Sequence, residues 1–229
     1  MPNYITHAFI ASKLSKNPEY IFGNAIADLE HVFLVNDKTH NPHKIIKKVI
    51  KDLETKPRLR SLALGLKHHM LLDIYAHKKF IIPTARKIAK KMDIKENRAH
   101  ALLEFALAHK IIEENLNFFK LFKKIVDSQK HKEIKQEFFK VIKKRSFKKG
   151  YDEVIKVIKK NKFSVVGIGE AFYKLRKYSM LKNHETMPGK IRNYIKAYFE
   201  IHKIVNQLYK KEIADLINYQ KRLLANEKL

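Results

Sequence analysis

The sequence predicts an all-α, multi-helix bundle. Only six glycines and six prolines interrupt 229 residues. Apolar residues recur at three- and four-residue steps along most of the chain. No stretch alternates with the period of two that a half-buried strand needs; "FSVVGIG" at 163–169 comes nearest and is short. With 45% hydrophobic residues the chain can build a substantial core.

The elements follow in order. "MPNYITHAFIASKL" reads as an amphipathic helix carrying His7, and "IFGNAIADLEHVF" (21–33) as a small, apolar, glycine-containing segment carrying Asp28. In "THNPHK" (39–44), Pro42 marks a loop or a helix start that carries His40 and His43. Helical periodicity then runs through 43–54, through "SLALGLKHHMLLDIYAH" (61–77), and through 97–126, 134–147 and 190–224. Punctuation falls at Pro18, Gly23, Pro57, Pro83, Gly150, Gly167, Gly169 and "HETMPGK" (184–190).

Charge and composition bound the function. The chain carries 49 Lys and Arg against 23 Asp and Glu, a formal charge of +26. Nucleic acid, an anionic membrane face or a phosphorylated small molecule would be drawn to it. "KVIKKRSFKK" (140–149) and "KVIKKNK" (156–162) interleave basic and apolar residues as a helix on phosphates or lipid headgroups would. The absence of cysteine excludes disulfides, thiolate zinc ribbons and a thiol nucleophile. The N-terminal apolar patch is broken by Thr6 and His7, unlike a signal peptide, and no apolar run reaches the ~18 residues of a membrane span. A cytoplasmic location is expected.

Histidine is unevenly spread: nine of the twelve lie within the first 109 residues. At about 100° per residue, His69, Asp73 and His77 fall within a wedge of about 80° on one helix, whereas His68 points elsewhere. The rest of that helix is apolar almost all round, so it is expected to be buried, and a buried carboxylate needs compensation. A divalent cation supplies it, because neutral imidazole and ionised carboxylate are the ligands such ions take. His100 and Glu104, again four apart, form a second pair on an apolar helix; His109 lies half a turn away from His100 and is excluded. A metal-free Asp–His network is the rival for either pair alone, but His7, Asp28 and His40 or His43 add three more elements within 104 residues.

Taken in order, these residues resemble the zinc-dependent phospholipase C family, a helical superfamily shared with fungal single-strand-specific nucleases. The resemblance covers about the first 110 residues: His7, Gly23 to Asp28, His40 or His43, His69 with Asp73 and His77, and His100 with Glu104. It implies a buried cluster of two or three zinc ions. Asp28, His40 or His43, His69 and Asp73 would hold one ion, His77, His100 and Glu104 a second, and His7 with a shared Asp73 a third. The implied chemistry is phosphoester hydrolysis, of phospholipase C or other phosphodiesterase type, by a metal-bridged hydroxide, with Asp28 as ligand and orienting base. The chain departs from secreted members in having no Trp to complete the third site through its amino group. Residues 1–120 are thus expected to be the metal-binding catalytic region, and 121–229 a basic helical region packed on it as one domain.

Two other helical metal families are excluded, since no His is directly followed by Asp and Glu-x2-His never occurs. The alternative is a non-enzymatic basic protein that binds nucleic acid or anionic membrane, with a structural metal or none.

Overall fold

A computed structural model describes residues 4–34, 42–128 and 188–227, with 132–133, 136 and 139–140; side chains are described for these except at 27–34, 42–45, 119 and 188–197. Among the described residues every regular element is helical. They are α1 (Tyr4–Leu14), α2 (Pro18–Leu34), α3 (Pro42–Glu54), a short 3-10 turn (Pro57–Leu59), α4 (Arg60–Ala76), a π turn (His77–Ile81), α5 (Ile82–Met92), α6 (Glu96–Glu114), α7 (Leu116–Asp127) and α8 (Pro188–Asn226). The strand-like 163–169 segment and the basic stretches 141–149 and 156–162 lie outside the described residues.

The bundle is built around α4, whose Leu62, Ala63, Leu66 and Leu72 are fully buried. It packs chiefly against α2, and also against α3 and α8. α1 is equally central: every residue from Ile5 to Ala11 is buried, His7 included. An all-round buried helix cannot be chosen by amphipathicity; neighbours on every side hold it.

Gly23 and Gly65 fix how closely α2 and α4 approach. A Cβ built on Gly65 would lie 2.4 Å from the Tyr20 carbonyl oxygen, and one on Gly23 2.4 Å from that of Leu62. Here glycine serves close backbone contact rather than turn geometry.

Three boundaries differ from the sequence reading. Gly23 does not interrupt its helix, since α2 runs through it from Pro18 to Leu34. The run at 97–126 is two helices, because Asn115 leaves helical geometry at φ −135°, ψ 54°. Its side-chain amide donates to the Ile111 carbonyl and to Tyr209 Oη of α8, the backbone competition for which Asn is known. Pro83, by contrast, does not end its helix. Proline has no N–H for the carbonyl four residues back and clashes with it; here the ladder widens by one residue, Ile82 N–H bonding the His77 carbonyl, and α4 runs on through the π turn into α5.

α8 closes the bundle. Tyr198, Ile201, Val205, Tyr209, Ile213, Leu216 and Gln220 are buried along one stripe at three- and four-residue steps, and the helix packs on α1, α4 and α6. Gln220 is the polar member of that stripe. No helix among the described residues is long and apolar enough to cross a membrane.

Candidate metal centre

α4, extended by the π turn, carries His69, Asp73 and His77 along one face, as the wheel requires. α1 brings His7 to one end of that face and α6 brings His100 and Glu104 to the other. Two groups of three candidate ligands result: His7, His69 and Asp73, and His77, His100 and Glu104, with potential ligand atoms within 4.8 Å of one another in each.

The second triad is the tighter in geometry. His77 Nε2 lies 3.0 Å from His100 Nε2 and 3.6 Å from Glu104 Oε1, and His100 Nε2 lies 3.4 Å from Glu104 Oε1. Ligands about 2.0–2.1 Å from a tetrahedral zinc stand about 3.3 Å apart. All three edges fall close to that separation, so one ion fits the triad with little movement. Glu104 is buried and the two histidines half-buried. Burial opposes ionisation of Glu104, yet its pKa is lowered because nearby positive charge outweighs it, His100 and His77 among the sources.

In the first triad, His7 Nε2 lies 3.7 Å from Asp73 Oδ1 and the His7 and His69 rings sit 3.9 Å apart, centroid to centroid. His7 Nδ1 is buried and makes no hydrogen bond among the described residues. A nitrogen left so is costly inside a protein; Nε2, the nitrogen nearer Asp73, is the one placed to ligate. His69 donates Nδ1–H to the Asn24 carbonyl at 2.7 Å. That bond leaves Nε2 as the lone-pair nitrogen, the orientation that a backbone carbonyl commonly imposes on a ligating histidine. The glycine contact explains the reach: Asn24 follows Gly23, and His69 lies one turn beyond Gly65.

Asp73 joins the two triads. Its Oδ1 is also 3.1 Å from His77 Nδ1, which donates to the Asp73 carbonyl at 2.8 Å. Burial opposes its ionisation, but the imidazoles around it, His7 and above all His77, hold the carboxyl well below the usual range. Burial likewise opposes the charge on His77, and Asp73 and Glu104 overcome it, raising the imidazole to about 9.

The two shifts give a pH prediction for the metal-free protein. A raised His77 stabilises the fold fully below its ordinary 6.5, and that contribution is lost as pH rises through about 9. A lowered Asp73 stabilises above its ordinary 3.8, and that contribution is lost as pH falls. In chelator-treated protein the melting temperature should fall by about 5 °C between pH 6.5 and 9.5. His77→Gln should flatten this alkaline limb.

The chain matches no family model, no curated protein and no solved structure. Its chemistry is therefore read from its own residues.

Of the residues singled out by sequence, His7, His69, Asp73, His77, His100 and Glu104 meet at the centre. Asp28, His40 and His43 lie outside the residues whose side chains are described. His7 stands with both His69 and Asp73, rather than with Asp73 alone. His68 turns away, as its angle required, and its Nδ1 pairs with Tyr20 Oη at 2.9 Å. His109 is likewise apart, bonded through Nδ1 to Tyr198 Oη of α8. Lys67 pairs with Glu227 at the C-terminal end of α8. Sequence reasoning missed Asn24, which acts through its backbone, and Gln220, whose signal was a polar residue in an apolar stripe.

Proposed function

We propose that the chain is a zinc-dependent phosphoester hydrolase, acting on a phosphodiester or a phospholipase C-type substrate. The observation that supports it is the ligand-like spacing of His77, His100 and Glu104 beside a second His–His–Asp group that shares the α4 face. Bound divalent ions would supply an acidified water and neutralise charge on the phosphate oxygens.

The protein's own part is positional and electrostatic. His77 is oriented by its Nδ1–H on Asp73, leaving Nε2 toward His100 and Glu104. His69 is oriented by Asn24 in the same manner. Asp28, with His40 or His43, is proposed to complete the first group, and Asp28 to orient the attacking water, by the resemblance drawn from sequence. The net charge of +26 favours an anionic substrate.

Hydrolysis of bis(4-nitrophenyl) phosphate by purified protein is expected to be abolished by chelator and restored by zinc. Glu104→Gln keeps the volume and removes a charged ligand; it should lower bound metal by one equivalent per chain and leave the helical circular-dichroism spectrum unchanged. Activity that survives complete metal removal would count against the proposal.

A further inference from the structure

Behind the first triad lies a buried polar network, tied together by the last turns of α8. Asn24, His68 and Gln220 are fully buried and Tyr20 nearly so. Asn24 Nδ2 donates to the Tyr20 carbonyl at 3.1 Å, which turns Asn24 Oδ1 toward α8. Gln220 Nε2 donates to that oxygen at 2.9 Å and to Tyr20 Oη at 2.8 Å.

Each bond dictates the next. An Asn24 oxygen facing α8 can only accept, so the amide nitrogen of Gln220 must face it. Tyr20 Oη accepts from Gln220, and its buried phenol hydrogen needs an acceptor, which His68 Nδ1 supplies at 2.9 Å. His68 therefore accepts at Nδ1 and carries its proton on Nε2. The adjacent His69 does the reverse, since a backbone carbonyl can only accept: Nδ1–H donates to Asn24 and Nε2 holds the lone pair.

We infer that Gln220 is a positioning residue: through Tyr20 it fixes His68 in the tautomer opposite to that of His69, and through the Asn24 side chain it seats the residue whose carbonyl orients His69. His69 is thereby presented as a ligand, and its neighbour is committed to the core. Gln220 interrupts an otherwise apolar stripe, where a Leu would pack without needing any partner. A buried polar residue in such a stripe commonly selects one arrangement at a cost in stability.

The link to a metal rests on the function proposed above; the tautomers do not. Nitrogen-15 NMR of histidine-labelled, metal-free protein reads them directly. The wild type should show His69 protonated on Nδ1 and His68 on Nε2. In Gln220→Glu, recorded above the pH at which the buried carboxyl ionises, a carboxylate that only accepts replaces the donor, so Tyr20 must turn its hydroxyl toward residue 220 and His68 should lose the Nε2–H form. Gln220→Met keeps the volume without bonds and should show mixed tautomers at His68. Both variants should bind zinc about tenfold more weakly than wild type, in line with the lower range for partners that orient metal ligands.

Unchanged tautomers in both variants, or His69 protonated on Nε2 in the wild type, would overturn the inference even if zinc binds normally. The stated tautomers and their loss in the variants, in a protein that takes up no zinc, would support the inference while removing the metal function.

Discussion

Asp73→Asn is expected to lower divalent-metal affinity by at least about a hundredfold, more than loss of an orienting partner alone, and to reduce phosphodiester hydrolysis at least as much. The residue is central for two reasons. Its carboxylate is the one anionic ligand in the His7–His69–Asp73 group, and the same oxygen lies 3.1 Å from His77 Nδ1 in the other. Asparagine keeps the shape and the backbone carbonyl that His77 bonds, so the helix should stay folded. His77, deprived of the principal source of its raised pKa, should titrate well below about 9. Competition with a chromogenic chelator gives the affinity and proton NMR gives the His77 titration. A variant that binds zinc as tightly as wild type would place Asp73 outside the metal centre.

Gly65→Ala should be destabilising, against the usual gain of about 1 kcal/mol from Gly to Ala within a helix. The added methyl meets the Tyr20 carbonyl oxygen at 2.4 Å, the Gly23 Cα at 3.0 Å and the Asn24 nitrogen at 3.1 Å. All three are backbone atoms, so no side-chain rotation relieves the contact and α2 must move away from α4. Overpacking of this kind costs about 1–3 kcal/mol or more, and thermal unfolding should show a net loss of about 2 kcal/mol. The same movement lengthens the bond from His69 to Asn24, so zinc affinity should fall with stability. A variant as stable as wild type would mean that the helices do not cross at these glycines.

Much of the centre was legible because helical angle alone groups ligands on one element. That angle groups His69, Asp73 and His77 and sets His68 apart. The same reasoning pairs His100 and Glu104, although nothing in their spacing says that they face His77 from α6. That juxtaposition depends on α5 and the π turn, which depend on Pro83 being absorbed rather than ending the helix. Periodicity could not foresee it. The same holds at Asn115, where apolar spacing continues across a break made by one side-chain amide.

What stayed hidden was carried by backbone atoms and long-range partners. Asn24 orients His69 through a carbonyl, which every residue has, so its identity gave no signal. Gly23 reads from sequence as punctuation within the segment leading to Asp28, yet its role lies opposite Gly65, 42 positions later. Gln220 was visible in principle, as the polar residue of the stripe that begins at Tyr198. Its partners on α2 could not be named before the fold was known.

The most direct measurement is the metal content of protein purified without added metal, by elemental mass spectrometry, in wild type and in His100→Ala. At least two zinc equivalents per chain are expected in the wild type, one for each triad, with one fewer in the variant. A wild-type protein that contains no divalent metal and takes none up from micromolar zinc would contradict the two-triad centre.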